Sequence, residues 1–174
     1  MGSPAVLSSD VLTFREFAMS EPLPLSKIQN AVLDFLRGRD DAVLCGAQAV
    51  NAYVAEPRMS QDVDVQSTRA AELAEDLRKH LHAQFHIAVR TREIGGGRGY
   101  RLYQVRQEGT RHLVDLRPVS ELPGARRIAG VLVMEPPELI ASKVMAYEGR
   151  RGQPKSGTDW RDLAMLVLAF PELK

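Results

Sequence analysis

The spacing of apolar residues changes several times along the chain, and these changes limit the possible folds more than any other feature. Apolar residues recur every three or four positions in residues 26–37 and 68–81, which is helical spacing. Short segments between and after them are wholly apolar or alternate polar with apolar residues, as strands do. This order predicts an α/β (α+β) fold, a mixed sheet flanked by helices with a helical C-terminal part.

Caps, glycines and prolines predict the element boundaries. We predict helices over residues 26–37, 47–55, 68–81, 136–151 and 158–170. We predict strands over residues 42–45, 62–66, 86–91, 100–105, 111–117 and 131–134. Residues 1–22 show no clean period, so we expect a loose N-terminal arm there. The remaining residues, 23–174, are long enough for one domain.

Composition excludes several classes of protein. With 44% hydrophobic and 26% charged residues, the chain is neither disordered nor collagen-like. Apolar runs such as residues 163–170 are too short for a membrane span, which takes about 20 residues. Cys45 is the only cysteine, which excludes an internal disulfide and a zinc knuckle. No signal peptide is visible, so we expect a cytoplasmic protein that does not bind membranes.

Charge is distributed unevenly, although the formal net charge is only +1. The first 85 residues carry 8 Lys and Arg against 12 Asp and Glu, whereas residues 86–161 carry 14 against 8. Nearly all of these later basic residues are arginines, whose planar guanidinium groups bind phosphates. The pattern fits either a solvated arginine-rich surface or a polyphosphate or nucleic-acid partner.

Two aspartates in a predicted strand suggest a metal site. Asp62 and Asp64 are two positions apart, so their carboxylates leave one face of the strand while Val63 and Val65 enter the core. At a separation of about 4 Å they would repel by about 4 kcal/mol at an effective dielectric constant near 20. A cation between them removes this cost, and oxygen ligands favour Mg²⁺ or Mn²⁺. A surface strand with alternating charges is the alternative.

A third aspartate and a glycine turn extend this pattern. Asp115 interrupts an apolar strand, and a buried carboxylate needs a cation or a hydrogen-bonding partner. If its strand lies beside that of Asp62, three carboxylates converge and can hold two metal ions about 3.5–4 Å apart for displacement at phosphorus. Gly46 ends an apolar strand and opens a helix, and such a turn presents N–H groups to a phosphate. We expect the turn and the acids to face one pocket.

These segments resemble the nucleotidyltransferase superfamily, which shares a fold with DNA polymerase beta. Within it they are most similar to the AbiEii-like bacterial nucleotidyltransferases, some of which are toxins of toxin–antitoxin systems. The resemblance lies in residues 46–53, 58–64 and 137–147. It continues at four later positions, Arg150, Lys155, Asp159 and Asp162. Between these segments only Asp115 matches, and the fold implied is a nucleotidyltransferase-type mixed sheet.

The resemblance implies an enzyme that transfers a nucleoside monophosphate from an NTP to a hydroxyl acceptor and releases pyrophosphate. Its catalytic and metal-binding residues would be Asp62, Asp64 and Asp115, with Mg²⁺ or Mn²⁺ as the cation. Asp115 would also take the proton from the attacking hydroxyl. The acceptor would be an RNA end, a protein or a small molecule, and the protein would be a toxin–antitoxin component that meets an antitoxin or toxin partner.

Five further positions match residues that bind the nucleotide or support the site. Gly46 and Ala47 would lie under the phosphates and Lys143 near the triphosphate, while Arg58 and Ser60 would steady the phosphates or the acidic strand. Ala47 departs from the Gly or Ser of many relatives. Alanine has no hydroxyl and less backbone freedom than glycine, so the turn would bind a phosphate more weakly. This departure supports the alternative, a fold-related module with weak or no activity that acts through a protein partner.

Several other residues have two interpretations. Lys143 interrupts an apolar helical segment and either reaches solvent or points into an anionic pocket. Asp159 and Asp162 share a helix face and are either a cap and a surface acid or partners of Lys143 or Lys155. We expect Cys45 in the core and Trp160 as an anchor of the last helix. The histidines lack metal-ligand spacing and are assigned to surface or packing positions: His80, His82, His86 and His112.

Overall fold

A seven-stranded mixed sheet organises the molecule, and its strand order brings the acidic strands together. The computed structural model describes residues 13–173. The strands are β1 (Ala42–Cys45), β2 (Val63–Ser67), β3 (Val89–Ile94), β4 (Gly99–Val105), β5 (Thr110–Pro118), β6 (Ala125–Ile128) and β7 (Val131–Met134). Their order across the sheet is β3-β4-β5-β2-β1-β7-β6. At its centre β2 runs antiparallel to β1 and parallel to β5, which confirms the predicted mixed sheet.

Helices flank the sheet and close the chain, as predicted. They are α1 (Phe14–Ala18), α2 (Leu25–Leu36), α3 (Gly46–Asn51), α4 (Ala70–Phe85), α5 (Pro136–Gly149), α6 (Lys155–Ala169) and a 3₁₀ turn (Pro171–Leu173). Helix α4 packs on β2 to β5 and α2, while α5 and α6 pack on each other and on α3. In the described part of the chain, no helix combines the length and the apolar character needed to cross a bilayer.

The periodicities of the sequence account for the core. In β2, Val63 and Val65 are buried while Asp64 between them is partly exposed, which is the alternation expected of a strand. In α4, Leu73 and Leu77 are fully buried at four-residue spacing. Cys45 ends β1 and is buried as predicted. The core therefore lies between the sheet and the helices that pack on it.

The N-terminal segment differs from the prediction. Residues 1–12 of the expected loose arm lie outside the described residues. The segment that follows contains α1, which begins with a capping box between Thr13 and Glu16. Glu16 also accepts a hydrogen bond of 2.8 Å from the backbone N–H of Leu25, and Glu21 pairs with Arg106. This helix of five residues is too short to show a period in the sequence.

Strand β6 and the position of Trp160 were also not predicted correctly. Strand β6 forms a hairpin with β7 through Ala129 and Gly130, which both have positive φ, at 49° and 85°. Such a turn is usually marked by Asn-Gly or Asp-Gly, which this chain lacks here. Trp160 is 58% exposed and contacts the ring of Tyr147 on α5. It therefore packs across the surface of the helix pair rather than anchoring α6 in the core.

Candidate active site

Asp64 and Asp115 lie opposite each other on neighbouring parallel strands, which meets the condition that the sequence left open for the acids to converge. The register of β2 with β5 pairs these two residues, and paired residues point to the same face of a sheet. The row continues outward, with Arg101 of β4 opposite Asp115 and Arg92 of β3 opposite Arg101. One face of the sheet thus carries two acids near its centre and two arginines toward the β3 edge.

Gly46 makes room for the Asp64 carboxylate at the turn between β1 and α3. It has a φ of +66°, and a Cβ at this position would lie 2.0 Å from Asp64 Oδ2. Only glycine meets both conditions, because other residues rarely adopt this backbone region and would overlap the carboxylate. Ala47 follows as a buried residue, so its methyl group belongs to the core. The turn at Gly46 therefore lies directly against Asp64.

The charge of Asp64 is poorly compensated. Burial raises the pKa of its carboxyl, and repulsion from Asp62 and Asp115 raises it further, against the attraction of Lys143 and Lys155. Within residues 13–173, hydrogen bonds to the Asp64 carboxylate are not among the effects that lower its pKa. A partly buried acid in this state is costly unless a cation joins it.

Asp115 has two strong partners. Arg101 donates two hydrogen bonds to it, from Nε to Oδ1 at 2.8 Å and from Nη2 to Oδ2 at 2.9 Å. His112 Nε2 lies 2.9 Å from the same Oδ1. Burial acts to raise the pKa of Asp115, but its hydrogen bonds with His112 and Arg101 and their charges outweigh burial and hold it well below its ordinary value. Asp115 is therefore ionised and only weakly basic.

His112 belongs to this site, although the sequence analysis assigned it to the surface or to packing. Residues three apart in a regular strand point to opposite faces, so its spacing from Asp115 gave no signal. The structure has a bulge here: Leu102 of β4 opposes Val114, but the next residue, Tyr103, opposes His112. Leu113 is left as the extra residue, and the irregularity turns His112 toward Asp115.

The loop before β2 is fixed by a network of buried side chains. Asn51 bonds to both backbone groups of Arg58, to the N–H at 3.0 Å and the carbonyl at 2.7 Å. Gln29 donates to the Ser60 carbonyl at 2.7 Å. The Ser60 hydroxyl in turn donates to the Asp62 carbonyl at 2.9 Å and lies 3.4 Å from its carboxylate. Ser60 is thus bonded to Asp62, the residue directly before β2.

Lys143 joins an ion-pair network between α5, α6 and the same loop. Its Nζ lies 2.8 Å from Asp162 and 3.6 Å from Asp159. Arg58 makes two hydrogen bonds of 2.7 Å to Asp162, and Arg150 lies 2.8 Å from Asp159. Asp159 and Asp162 are buried, so they are partners of Lys143 rather than a cap and a surface acid. Arg58, like Ser60, steadies the segment that leads to the acidic strand.

The residues at the end of this sheet face fit a divalent cation. Asp62, His112 and Asp115 each offer one ligand atom, and these atoms lie within 4.8 Å of one another. Carboxylate oxygens suit Mg²⁺ and Mn²⁺, and imidazole nitrogen suits transition-metal ions. Asp64 lies beside this group, opposite Asp115. A cation bound here would offset the burial and the repulsion that raise the pKa of Asp64.

Several solved structures share this fold at low sequence identity. A polyadenylate synthase from Megavirus is 14% identical with a TM-score of 0.70, over 90% of this chain and 34% of the synthase. JHP933 from Helicobacter pylori is 14% identical with a TM-score of 0.63, over 94% of this chain and 71% of its own. An antigenic nucleotidyltransferase-like protein from Paracoccidioides brasiliensis is 19% identical with a TM-score of 0.50, over 90% and 78%. The chain thus spans about a third of the viral synthase.

A family model identifies the class more narrowly. The model of the "Nucleotidyl transferase AbiEii toxin, Type IV TA system" family matches residues 31–172, which is most of the chain. The protein therefore belongs to the AbiEii nucleotidyltransferase family and is an enzyme of the nucleotidyltransferase class. This confirms the resemblance found in the sequence. Among curated proteins no match was found.

Proposed function

We propose that this protein uses divalent cations to transfer a nucleoside monophosphate from an NTP to a hydroxyl acceptor. The observation that carries the proposal is the convergence of Asp62, Asp64 and Asp115 beside the Gly46 turn. The weakly compensated Asp64 supports it, because a cation would stabilise the carboxylates. In the reaction, the acceptor oxygen bonds to the α-phosphorus and the bond from that phosphorus to pyrophosphate breaks.

Each residue has a proposed task. Asp62, Asp64 and Asp115 would hold Mg²⁺ or Mn²⁺. Such ions neutralise phosphate charge and lower the pKa of a bound hydroxyl. Asp115 would hold a cation, and it could take the hydroxyl proton only after its contacts with His112 and Arg101 have opened, because both contacts lower its pKa. Gly46 brings the turn close to the site, where backbone N–H groups can meet a phosphate.

The remaining predicted residues support these tasks. Ala47 would contribute its backbone N–H at the same turn. Lys143 would attract the triphosphate, and its charge already favours the ionised form of Asp64. Arg58 and Ser60 would hold the segment that carries Asp62 and leads into β2, the strand of Asp64, through the bonds described above.

The sheet face beside the site favours a polyanionic acceptor, an RNA end. Arg92 and Arg101 lie in one row with Asp115, and Arg90 occupies the same face of β3 two positions away. Arg90 and Arg92 are exposed. A cavity of about 280 Å³ is lined by Arg92, Glu93, Ile94, Gly95 and Arg101, and Arg101 is also the residue that contacts Asp115. Guanidinium groups in such a row bind a phosphate backbone better than they bind a neutral small molecule.

We also propose a biological setting. The family is described as a toxin of type IV toxin–antitoxin systems. We infer that this protein acts as such a toxin in the cytoplasm, where NTPs are present. We also infer that a cognate antitoxin is its protein partner.

Incubation with labelled nucleotides tests the proposed activity. The purified protein would be mixed with each α-³²P-labelled NTP, with Mg²⁺ or Mn²⁺, and with either total RNA or lysate protein. We expect metal-dependent label in the RNA fraction and none after chelation with EDTA. Label in the protein fraction alone would instead favour a protein acceptor.

Two variants make the result specific. Asp64→Asn should abolish labelling, whereas Asp76→Asn, at an exposed acid on α4, should not change it. Absence of label with every NTP and both ions would overturn the proposal. It would favour the alternative of a module with weak or no activity that acts through a partner.

A further inference from the structure

His112 lies between the two outer carboxylates of the site. Its Nδ1 is 3.5 Å from Asp62 Oδ2, and its Nε2 is 2.9 Å from Asp115 Oδ1. Its side chain is 27% exposed, so it is accessible to an ion from solvent. The ring therefore lies beside both carboxylates, where one of its nitrogens can be a third ligand of an ion that they bind.

The spacing of these ligand atoms suits one shared ion. Two ligands, each about 2.1 Å from an ion, lie at most about 4.2 Å apart. The ligand atoms of Asp62, His112 and Asp115 already lie within 4.8 Å of one another, so small side-chain rotations close the site. The bulge in β5 that directs His112 here is a feature of the backbone and does not depend on side-chain rotation.

An imidazole ligand changes which ion is preferred. Mg²⁺ is bound mainly through oxygen, whereas imidazole binds transition-metal ions well, and Mn²⁺ accepts both kinds of ligand. We propose that His112 is a nitrogen ligand of the cation at Asp62 and Asp115, and that it makes the protein select Mn²⁺ over Mg²⁺. This inference rests on the proposed metal-dependent function and concerns the choice of ion at the same site.

Mn²⁺ binding followed by electron paramagnetic resonance tests the inference directly. Pulsed spectra of the Mn²⁺-loaded protein should show ¹⁴N modulation from a coordinated imidazole. Growth with ¹⁵N-histidine should replace this signal by that of ¹⁵N, which needs no variant. Mn²⁺ should bind at least about tenfold more tightly than Mg²⁺, measured by competition. A spectrum without nitrogen modulation would overturn the inference.

Variants separate ligation from a structural role. His112→Gln should remove the modulation and weaken Mn²⁺ binding about tenfold, with Mg²⁺ binding changed by less than about twofold. His112→Asp should keep Mg²⁺ binding, because it supplies oxygen instead. His86→Asn is the matched control, since His86 is an exposed residue in the left-handed region that asparagine tolerates. Equal loss of both ions in His112→Gln would mark His112 as structural and overturn the inference.

Failure of this inference can be told apart from failure of the proposed function. If labelled NMP is transferred in the presence of Mg²⁺ or Mn²⁺ but Mn²⁺ shows no nitrogen ligand, the proposed role of His112 is wrong and the proposed function is retained. If neither ion binds and no label is transferred, both proposals fall.

Discussion

Asp64 and Asp115 show how neighbours give the same residue type opposite properties. They face each other in the sheet, yet burial and two nearby acids raise the pKa of Asp64, whereas His112 and Arg101 lower that of Asp115. The difference arises because His112 and Arg101 both make hydrogen bonds with the carboxylate of Asp115, whereas Arg101 acts on Asp64 only through its charge. An ionised Asp64 therefore opposes folding of the metal-free protein, while an ionised Asp115 does not.

We expect Asp64→Asn to raise the free energy of unfolding of the metal-free protein and to lower transfer by about 100-fold or more. The first effect follows from removing a repelling charge and the second from removing a metal ligand. Urea titration with and without EDTA measures the stability, and label transfer measures the activity. A variant that is much less stable without metal would show that Asp64 holds the fold together and would contradict the assignment.

Asp162 makes stability depend on pH. Burial acts to raise the pKa of Asp162, but hydrogen bonds from Arg58 and Lys143 outweigh it and lower the pKa. A group with a lowered pKa stabilises the fold above its pKa in the unfolded chain, and this stabilisation is lost as pH falls through the folded value. Asp162→Asn should therefore lower the free energy of unfolding by about 3–5 kcal/mol at neutral pH.

Measuring the unfolding free energy of both proteins over a range of pH provides the control for this prediction. The difference in unfolding free energy between the wild type and Asp162→Asn should shrink once the pH falls below the ordinary pKa of an aspartate, about 3.9, and should disappear only after the pH has passed through the lowered pKa of Asp162. A difference that stays constant with pH would show that Asp162 acts through packing rather than through its charge.

At the scale of elements, the turn from β1 to α3 and strand β2 depend on each other. Gly46 leaves the space that the Asp64 carboxylate occupies. The loop between α3 and β2 is in turn fixed to α6 by the pair of Arg58 with Asp162. Since α3, β2 and α6 are joined in this way, a change in one of them should displace the acids.

We expect Gly46→Ala to lower the free energy of unfolding by about 2–4 kcal/mol and to impair transfer, because it combines backbone strain with a clash against Asp64. Gly96→Ala is the matched control. Gly96 has nearly the same φ, +65°, but no atom within 4 Å of a Cβ built there. It should cost only the strain of about 1–2 kcal/mol and leave transfer unchanged. Equal effects of the two variants in urea titration would contradict the close approach of Gly46 and Asp64.

At the scale of the whole molecule, the site lies on a sheet face that receives residues from many parts of the chain. The acids come from β2 and β5, the supporting ion pairs from α5 and α6, and the arginines from β3 and β4. A ligand at this face should therefore stabilise the whole fold rather than a single element.

A thermal-shift experiment examines this coupling. Mg²⁺ or Mn²⁺ alone and NTP alone should each raise the midpoint of unfolding slightly, and both together should raise it by more than the sum. At a concentration 100 times its Kd, a ligand adds about 2.7 kcal/mol, which is roughly 5–10 °C for a domain of this size. No rise with any NTP would support a module without catalytic activity.

Much of the fold and of the candidate site could be predicted from local patterns. The alternation around Asp62 and Asp64 fixed which side chains face the core, because the side-chain period of a strand is two. Gly46 could be recognised as a glycine that follows an apolar strand. Asp115 could be recognised as an acid inside an otherwise apolar strand. The helices with apolar residues every three or four positions, such as α4, were predicted for the same reason.

The contributions of His112 and Arg101 could not be predicted this way. His112 reaches Asp115 only because a bulge breaks the period of β5, and Arg101 reaches it only because β4 pairs with β5 in one register. Arg58 finds Asp162 more than a hundred positions later in the chain. Strand pairing and the packing of α6 create these contacts, and neither can be predicted from the spacing of residues along the chain.

The sequence by itself determined the order of the strands and helices other than α1 and β6, the face of β2 on which Asp64 lies, and the family to which the chain belongs. Only the tertiary structure decided which cations stand beside which acids, and therefore which carboxylate is stabilised in its ionised form. The physical reason is range: periodicity and backbone preference act between neighbours in the chain, whereas charges and ligands act through space between strands that the fold brings together.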